Sequence, residues 1–222
     1  MGTRGSVGFI QQEKPALSYN HFDSYPDGLG SDVLGFIFKI NLENGWELFK
    51  ERAAKLKNIE EKLITDTLIM EKYEKYSNLG VSEQKLSDPY CLFREIQGYE
   101  WMNEVYKGEL EHYPLNNDFI KSSLFCEYAY IINLDTMKLE FYDGYQKKQQ
   151  IGNKFGEETN EDGYYPCRLV CVFDLLNINN TEVVSDITHK MQKVCQSNAD
   201  DPSVINYFRK PKLEILNEKA SE

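Results

Sequence analysis

The stretch SLFCEYAYIINLDTMKLEFYDGY (residues 123–145) constrains this chain most. Aromatic and aliphatic residues crowd both sides of a short turn at Leu134–Met137. Side chains of a strand point to opposite faces with a period of two, so such runs persist only where a sheet buries at least one face. They predict strands over about Leu124–Asn133 and Lys138–Tyr142. CRLVCVFDLL (Cys167–Leu176) predicts another strand. SVGFI (Ser6–Ile10) and ALSYNHF (Ala16–Phe22) flank QQEKP and predict an N-terminal hairpin. With a loop over Gln11–Pro15, Ile10 faces Leu17 and Arg4 falls near Asp23.

Helical signals fill the intervals. PDGLG turns the chain after the hairpin, and Ser31 or Asp32 can cap a helix through DVLGFIFKI. From Asn44 to Ser77, Trp46, Phe49, Ala53, Leu56, Ile59 and Leu63 recur at three and four, which predicts one long helix or two, with Asn58 or Thr65 as breaks. SDPYCLFREIQG predicts a short helix with Pro89 early and Gly98 at its close. Residues 99–118 predict an aromatic-rich loop, residues 146–166 an exposed polar loop, and NTEVVSDITHKMQKVCQ a helix. The sum is an α+β domain: a mixed or antiparallel sheet of about five strands covered by helices. One domain is expected over residues 1–197, with 198–222 a partly ordered tail.

Composition bounds the partners. A formal charge of −11 and a pI near 4.9 argue against binding a phosphate backbone, so no nucleic-acid partner is expected. No apolar run approaches the ~20 residues of a membrane span, so no membrane partner is expected either. Five cysteines without a secretory signal predict reduced thiols and a cytoplasmic protein. Cys167 and Cys171 sit four apart on a predicted strand, ~13 Å from each other, too far to share a metal. No metal and no cofactor are expected. Met1-Gly2-x-x-x-Ser6 fits the myristoylation pattern, with a structural role for Gly2 to Gly5 as the alternative.

YNHFDSYPDGLGSD (Tyr19–Asp32) is the densest group of polar and turn-forming residues. With Thr3 and Arg4 brought to the same end of the hairpin, Arg4, His21 and Asp23 converge beside a helix start, where turn amides favour anions. The candidate catalytic residues are His21 and Asp23, with His21 moving a proton and Asp23 orienting it. Thr3, Arg4, Asn20, Tyr25, Gly28, Gly30 and Glu127 are the candidate ligand-binding residues. Glu127 sits in an apolar run and needs water or a partner, for which Arg94 and Arg168 are candidates. The expected ligand is a small polar or anionic molecule, and hydrolysis or transfer is the default reaction. Equally open is a non-enzymatic protein partner, with the motif as a staple and the helix at 44–77 or the aromatics at 99–113 as the contact.

These residues carry a resemblance. MGTRG at 1–5 with YNHFDSYPDGLG at 19–30 resembles a phage, bacterial and fungal family that shares a GTR start and a Y-x-H-[FWY]-D-[GS]-Y-P-x-G-x-G block. That family has no established activity, so the resemblance implies a fold and a site but no reaction. A fainter likeness, in VGF of the first strand and the YAYxIxLD-like run, is to N-terminal nucleophile hydrolases and class II glutamine amidotransferases. It implies an Ntn-hydrolase-like sheet. The chain departs from those enzymes because removal of Met1 exposes Gly2 rather than Cys, Ser or Thr.

Overall fold

The computed structural model describes residues 2–59 and 64–196, with the side chains of Cys195 and Gln196 outside the description. Leu63 and the expected tail also lie outside it. Chain order is β1 (Gly5–Gln11), β2 (Lys14–Asn20), α1 (Ser31–Glu43), α2 (Trp46–Ala53), β3 (Lys57–Asn58), α3 (Thr67–Tyr73), α4 (Pro89–Leu92), α5 (Glu100–Lys107), β4 (His112–Tyr113), β5 (Tyr128–Asn133), β6 (Lys138–Asp143), β7 (Arg168–Asp174) and α6 (Thr181–Gln196). The fold is α+β. Its main sheet has the order β2-β1-β5-β6-β7, with β1 and β5 parallel and every other pair antiparallel. A hairpin and a three-stranded meander are thus joined by one parallel ladder.

The strand period divides two unequal cores. Val7, Phe9, Tyr130, Ile132 and Phe141 face α1, α2, α5 and α6, where Ile37, Phe49, Trp101 and Met191 are buried against them. Each such side chain contributes ~1.5–3 kcal/mol on burial. Ile10, Leu17, Ile131 and Tyr142 face the other way, onto a thinner cluster closed by Ile120, Cys126 and Phe155. Helices therefore cover one face only, and loops cover the second.

Several expectations change. The first hairpin closes through two residues: β1 and β2 pair Ile10 with Pro15 and Gly5 with Asn20. Gln12 and Glu13 both take left-handed backbone, at φ 53 and 61, as the favoured two-residue hairpin turn requires. Their amides donate to one carboxylate, Asp135 Oδ1 at 2.7 Å and Oδ2 at 2.9 Å. The shift of two residues places Arg4 opposite His21 rather than Asp23. The helical pattern after Asn44 resolves into α2 and α3 with β3 between them. Residues 99–118 are not all loop, since Trp101, Met102, Val105 and Tyr106 form the buried face of α5. Those aromatics are core and form no partner surface. The segment Leu124–Glu127 precedes β5 rather than opening it. Neither Ser31 nor Asp32 caps α1 through its side chain. A bulge between Phe141 and Tyr142 turns Cys171 to the helix-covered core and Cys167 to the thinner one, so the two thiols share no face.

The turn provides a test. Left-handed backbone costs a non-glycine residue about 1 kcal/mol, and Asn-Gly removes most of that strain. Gln12→Asn with Glu13→Gly should raise the melting temperature by roughly 2–4 °C, whereas Asp135→Ala should lower it. Calorimetry on the variants would show both shifts, and a fall in the first would refute the turn assignment.

Candidate functional site

The two halves of the N-terminal motif meet at the end of the sheet where β1 and β5 begin and β2 ends. The chain leaving β2 is held tightly. Ser24 N–H donates to the Thr3 carbonyl at 3.2 Å, and the buried Tyr130 hydroxyl donates to the Ser24 carbonyl at 2.9 Å. Asn20 Nδ2 donates to Ser24 Oγ at 2.8 Å and to the Phe22 carbonyl. Asp23 takes left-handed backbone at φ 52, and its carbonyl accepts from Leu29 N–H at 2.9 Å. Gly28 lies directly over that carbonyl, where a Cβ would collide. At Gly30 a Cβ would stand 2.9 Å from the Tyr130 ring. Thr3, Asn20, Gly28 and Gly30 are therefore packing residues and line no open site.

What this lock leaves facing outward is chemically different. The Arg4 guanidinium stacks over Phe125, 4.9 Å from the ring centre. Arg94, just after α4, stands over Tyr90 at 5.1 Å and over Phe22 at 5.8 Å. Neither guanidinium has a carboxylate partner among the described residues. The other described arginines are committed: Arg168 to Asp143 at 2.9 Å, and Arg52 to the Tyr106 carbonyl. His21 lies between, stacked edge-on against Phe22 at 4.2 Å. Its Nδ1 shares a 2.5 Å hydrogen bond with the Tyr19 hydroxyl.

Burial lowers the His21 pKa, and the Arg94 and Arg4 charges lower it further. Burial raises the Tyr19 pKa, against a lowering pull from Arg4 and Arg94. The phenol therefore stays protonated and donates to a neutral imidazole, which leaves Nε2–H free to donate outward.

Tyr19 and Tyr90 also line a cleft of about 250 Å³ beside these groups, with Ser18, Phe93, Gln97 and Tyr113. Gln97 holds Arg94 through a hydrogen bond to its guanidinium, which sets that charge at the lip. Asp88 is the cleft's one carboxylate. Burial pushes its pKa up, but hydrogen bonds from Ser82, Cys91 and the Tyr90 and Glu83 amides outweigh that and lower it. A larger groove of about 700 Å³ opens on the loop-covered face. Most of its charges are already used: Lys154 lies 2.7 Å from both oxygens of buried Glu140, Lys121 pairs with Asp118 at 2.7 Å, and Asp135 holds the hairpin turn.

Of the expected site residues, Arg4 and His21 come together. Asp23 does not join them: it is exposed, in left-handed backbone, and makes no ion pair with Arg4 and no hydrogen bond with His21 among the described residues. Tyr25 is exposed and leans on Tyr128. Glu127 is half-buried, with neither Arg94 nor Arg168 as its partner. Its carboxylate accepts from the Arg4 backbone N–H at 3.2 Å and from the Tyr145 hydroxyl. Tyr19, Tyr90 and Arg94 are additions; Tyr19 opens the motif itself, but nothing local marks Tyr90 and Arg94, because α4 reaches the edge of β2 only through tertiary packing. Among the described residues no helix is long and apolar enough to cross a membrane, and no group of His, Cys, Asp and Glu could hold a metal.

Compared with known protein families, curated proteins and solved structures, the chain matches none.

A depressed pKa makes the neutral ring the form the fold prefers. The unfolded chain binds the proton near pH 6.5 and the folded chain only at lower pH. His21 therefore costs stability as pH falls below about 6.5 and contributes no such loss above it. Arg94→Ala removes one repelling charge and should raise the His21 pKa, read from the imidazole proton shift in an NMR titration. A downward move would refute the placement of Arg94.

Proposed function

We propose that this chain binds a small organic anion at the end of its sheet, with Arg4 and Arg94 clamping the charge and His21 donating from Nε2. One observation carries the reading: two guanidinia without carboxylate partners flank a neutral imidazole at the lip of an aromatic cleft, in a chain of net charge −11. Stacking on Phe125, Phe22 and Tyr90 holds both cations in place without neutralising them.

A second reading has its own support. Phe22, Tyr25, Phe125 and Tyr145 are exposed and lie at this same end of the sheet. Aromatic residues and arginine are enriched at the centres of protein interfaces, so a protein partner would also suit this surface.

Binding separates the two. Arg4→Ala and Arg94→Ala should each weaken carboxylate or phosphate binding by about tenfold, since a charge-assisted hydrogen bond contributes ~1.5–3 kcal/mol. Each should move the melting temperature by no more than ~2 °C. Asn20→Ala should instead lower the melting temperature by several degrees, because it frees the kink after β2. Titration calorimetry with a panel of small carboxylates and phosphates reads the affinities. Equal binding by the double arginine variant, or no binding of any anion, would overturn the proposal.

A further inference from the structure

The edge of the sheet beside the cleft says more about the ligand. In the hairpin, even-numbered residues of β1 point their backbone groups at β5: the Arg4 carbonyl accepts from Glu127 N–H and the Ile10 carbonyl from Leu134 N–H. Odd-numbered residues of β2 consequently point theirs outward, away from the sheet. Pro15 has no N–H to offer. Leu17 is closed off, with its carbonyl accepting from Asn116 N–H at 2.8 Å and its N–H donating to Asn117 Oδ1 at 2.8 Å. Tyr19 comes next, and its N–H has no acceptor among the described residues. Its carbonyl meets only the Ser18 hydroxyl, at 3.3 Å, and retains a lone pair.

One open donor and one open acceptor, at strand spacing, therefore face the cleft that Tyr19 lines. Such a rung matches a single extended residue, whose own N–H and C=O point to the same side, the pairing by which extended ligands add to a sheet edge. Gln97 and Tyr90, which line the cleft, hold the Arg94 guanidinium beside it. Beside it, Phe93, Tyr113 and Tyr90 wall an aromatic cleft.

We infer that the anion taken here is an N-acyl amino acid unit: its amide N–H on the Tyr19 carbonyl, one carboxylate oxygen on the Tyr19 N–H and the other toward Arg94, and an aromatic or large aliphatic side chain in the cleft. This rests on the anion-binding reading and narrows it. Asn116 occupies the Leu17 rung, so a single residue is recognised, its chain ends at the carboxylate, and any chain upstream leaves toward solvent. Phosphate esters and simple aromatic acids satisfy the cations but bring no N–H for the Tyr19 carbonyl. The unit occurs both as a free acylated amino acid and as the last residue of a peptide.

The test uses the whole chain and five probes: N-acetyl-L-phenylalanine, the peptide Ala-Ala-Ala-Phe, 3-phenylpropionate, N-acetyl-L-phenylalaninamide and inorganic phosphate. N-acetyl-L-phenylalanine should bind about tenfold more tightly than 3-phenylpropionate, which lacks the amide, and than the phenylalaninamide, which lacks the charge. The Tyr19 amide should exchange rapidly with solvent in the free protein and slow by at least tenfold in the complex. Arg94→Gln should remove the preference for the acid over its amide while leaving the spectrum folded. Equal affinity for 3-phenylpropionate, or an unprotected Tyr19 amide, overturns the inference and leaves anion binding standing. Binding of phosphate alone does the same. If no probe binds, both readings fall. Ala-Ala-Ala-Phe matching the acetylated residue supports a peptide end as the source, and its exclusion supports the free molecule.

Discussion

The hydrogen bond from the Tyr130 hydroxyl to the Ser24 carbonyl holds the site in place. It runs from the centre of the sheet to a chain that has just left its edge, and it is buried, so leaving either group unpaired would cost ~1–3 kcal/mol. Once Ser24 is fixed, the Thr3 carbonyl takes its amide and Asn20 takes its hydroxyl, and the start of β1 cannot part from the end of β2. α1 then begins directly against the sheet, close enough that Gly30 touches the Tyr130 ring. The outward disposition of Arg4, His21 and Phe22 follows from what this lock holds inward.

Structural and functional readings of the N-terminal motif are thus complementary. Alternate residues divide the labour, as they must where a strand ends: Thr3 and Asn20 turn in, and Arg4 and His21 turn out. Inward groups are tied to one another through Ser24. Outward ones are not, since the guanidinia are stacked on rings rather than neutralised and the imidazole is kept uncharged by its neighbours. Unsatisfied charge on a rigid base is what a binding site needs in advance of its ligand.

Much of the sheet was legible because Tyr130–Ile132, Leu139, Phe141, Tyr142 and Val170–Cys171 supply apolar side chains to both faces and admit little but a strand. α6 was legible from Ile187 and Met191. The register of the first hairpin was not, since Gln12 and Glu13 carry none of the glycine or asparagine that marks a left-handed turn, and Asp135, which holds them there, lies far off in sequence. α5 was hidden because its Trp101, Met102 and Tyr106 read as a generic aromatic stretch and no side chain caps its start. The site was half visible: Arg4 and His21 belong to the motif, but Asp23 was misplaced with the register. Arg94 enters through the packing of α4 against the edge of β2, which no local pattern encodes.

The clamp of Asp135 on the Gln12 and Glu13 amides spans 123 residues. It therefore bears on the order of events during synthesis. The first two strands emerge from the ribosome long before the segment that steadies their turn, and β1 must also wait for its parallel neighbour β5. Non-local pairing of this kind pays its loop-closure entropy before any contact returns it, so it slows folding. The hairpin of β1 and β2 is complete only once the later segments carrying β5 and Asp135 are in place.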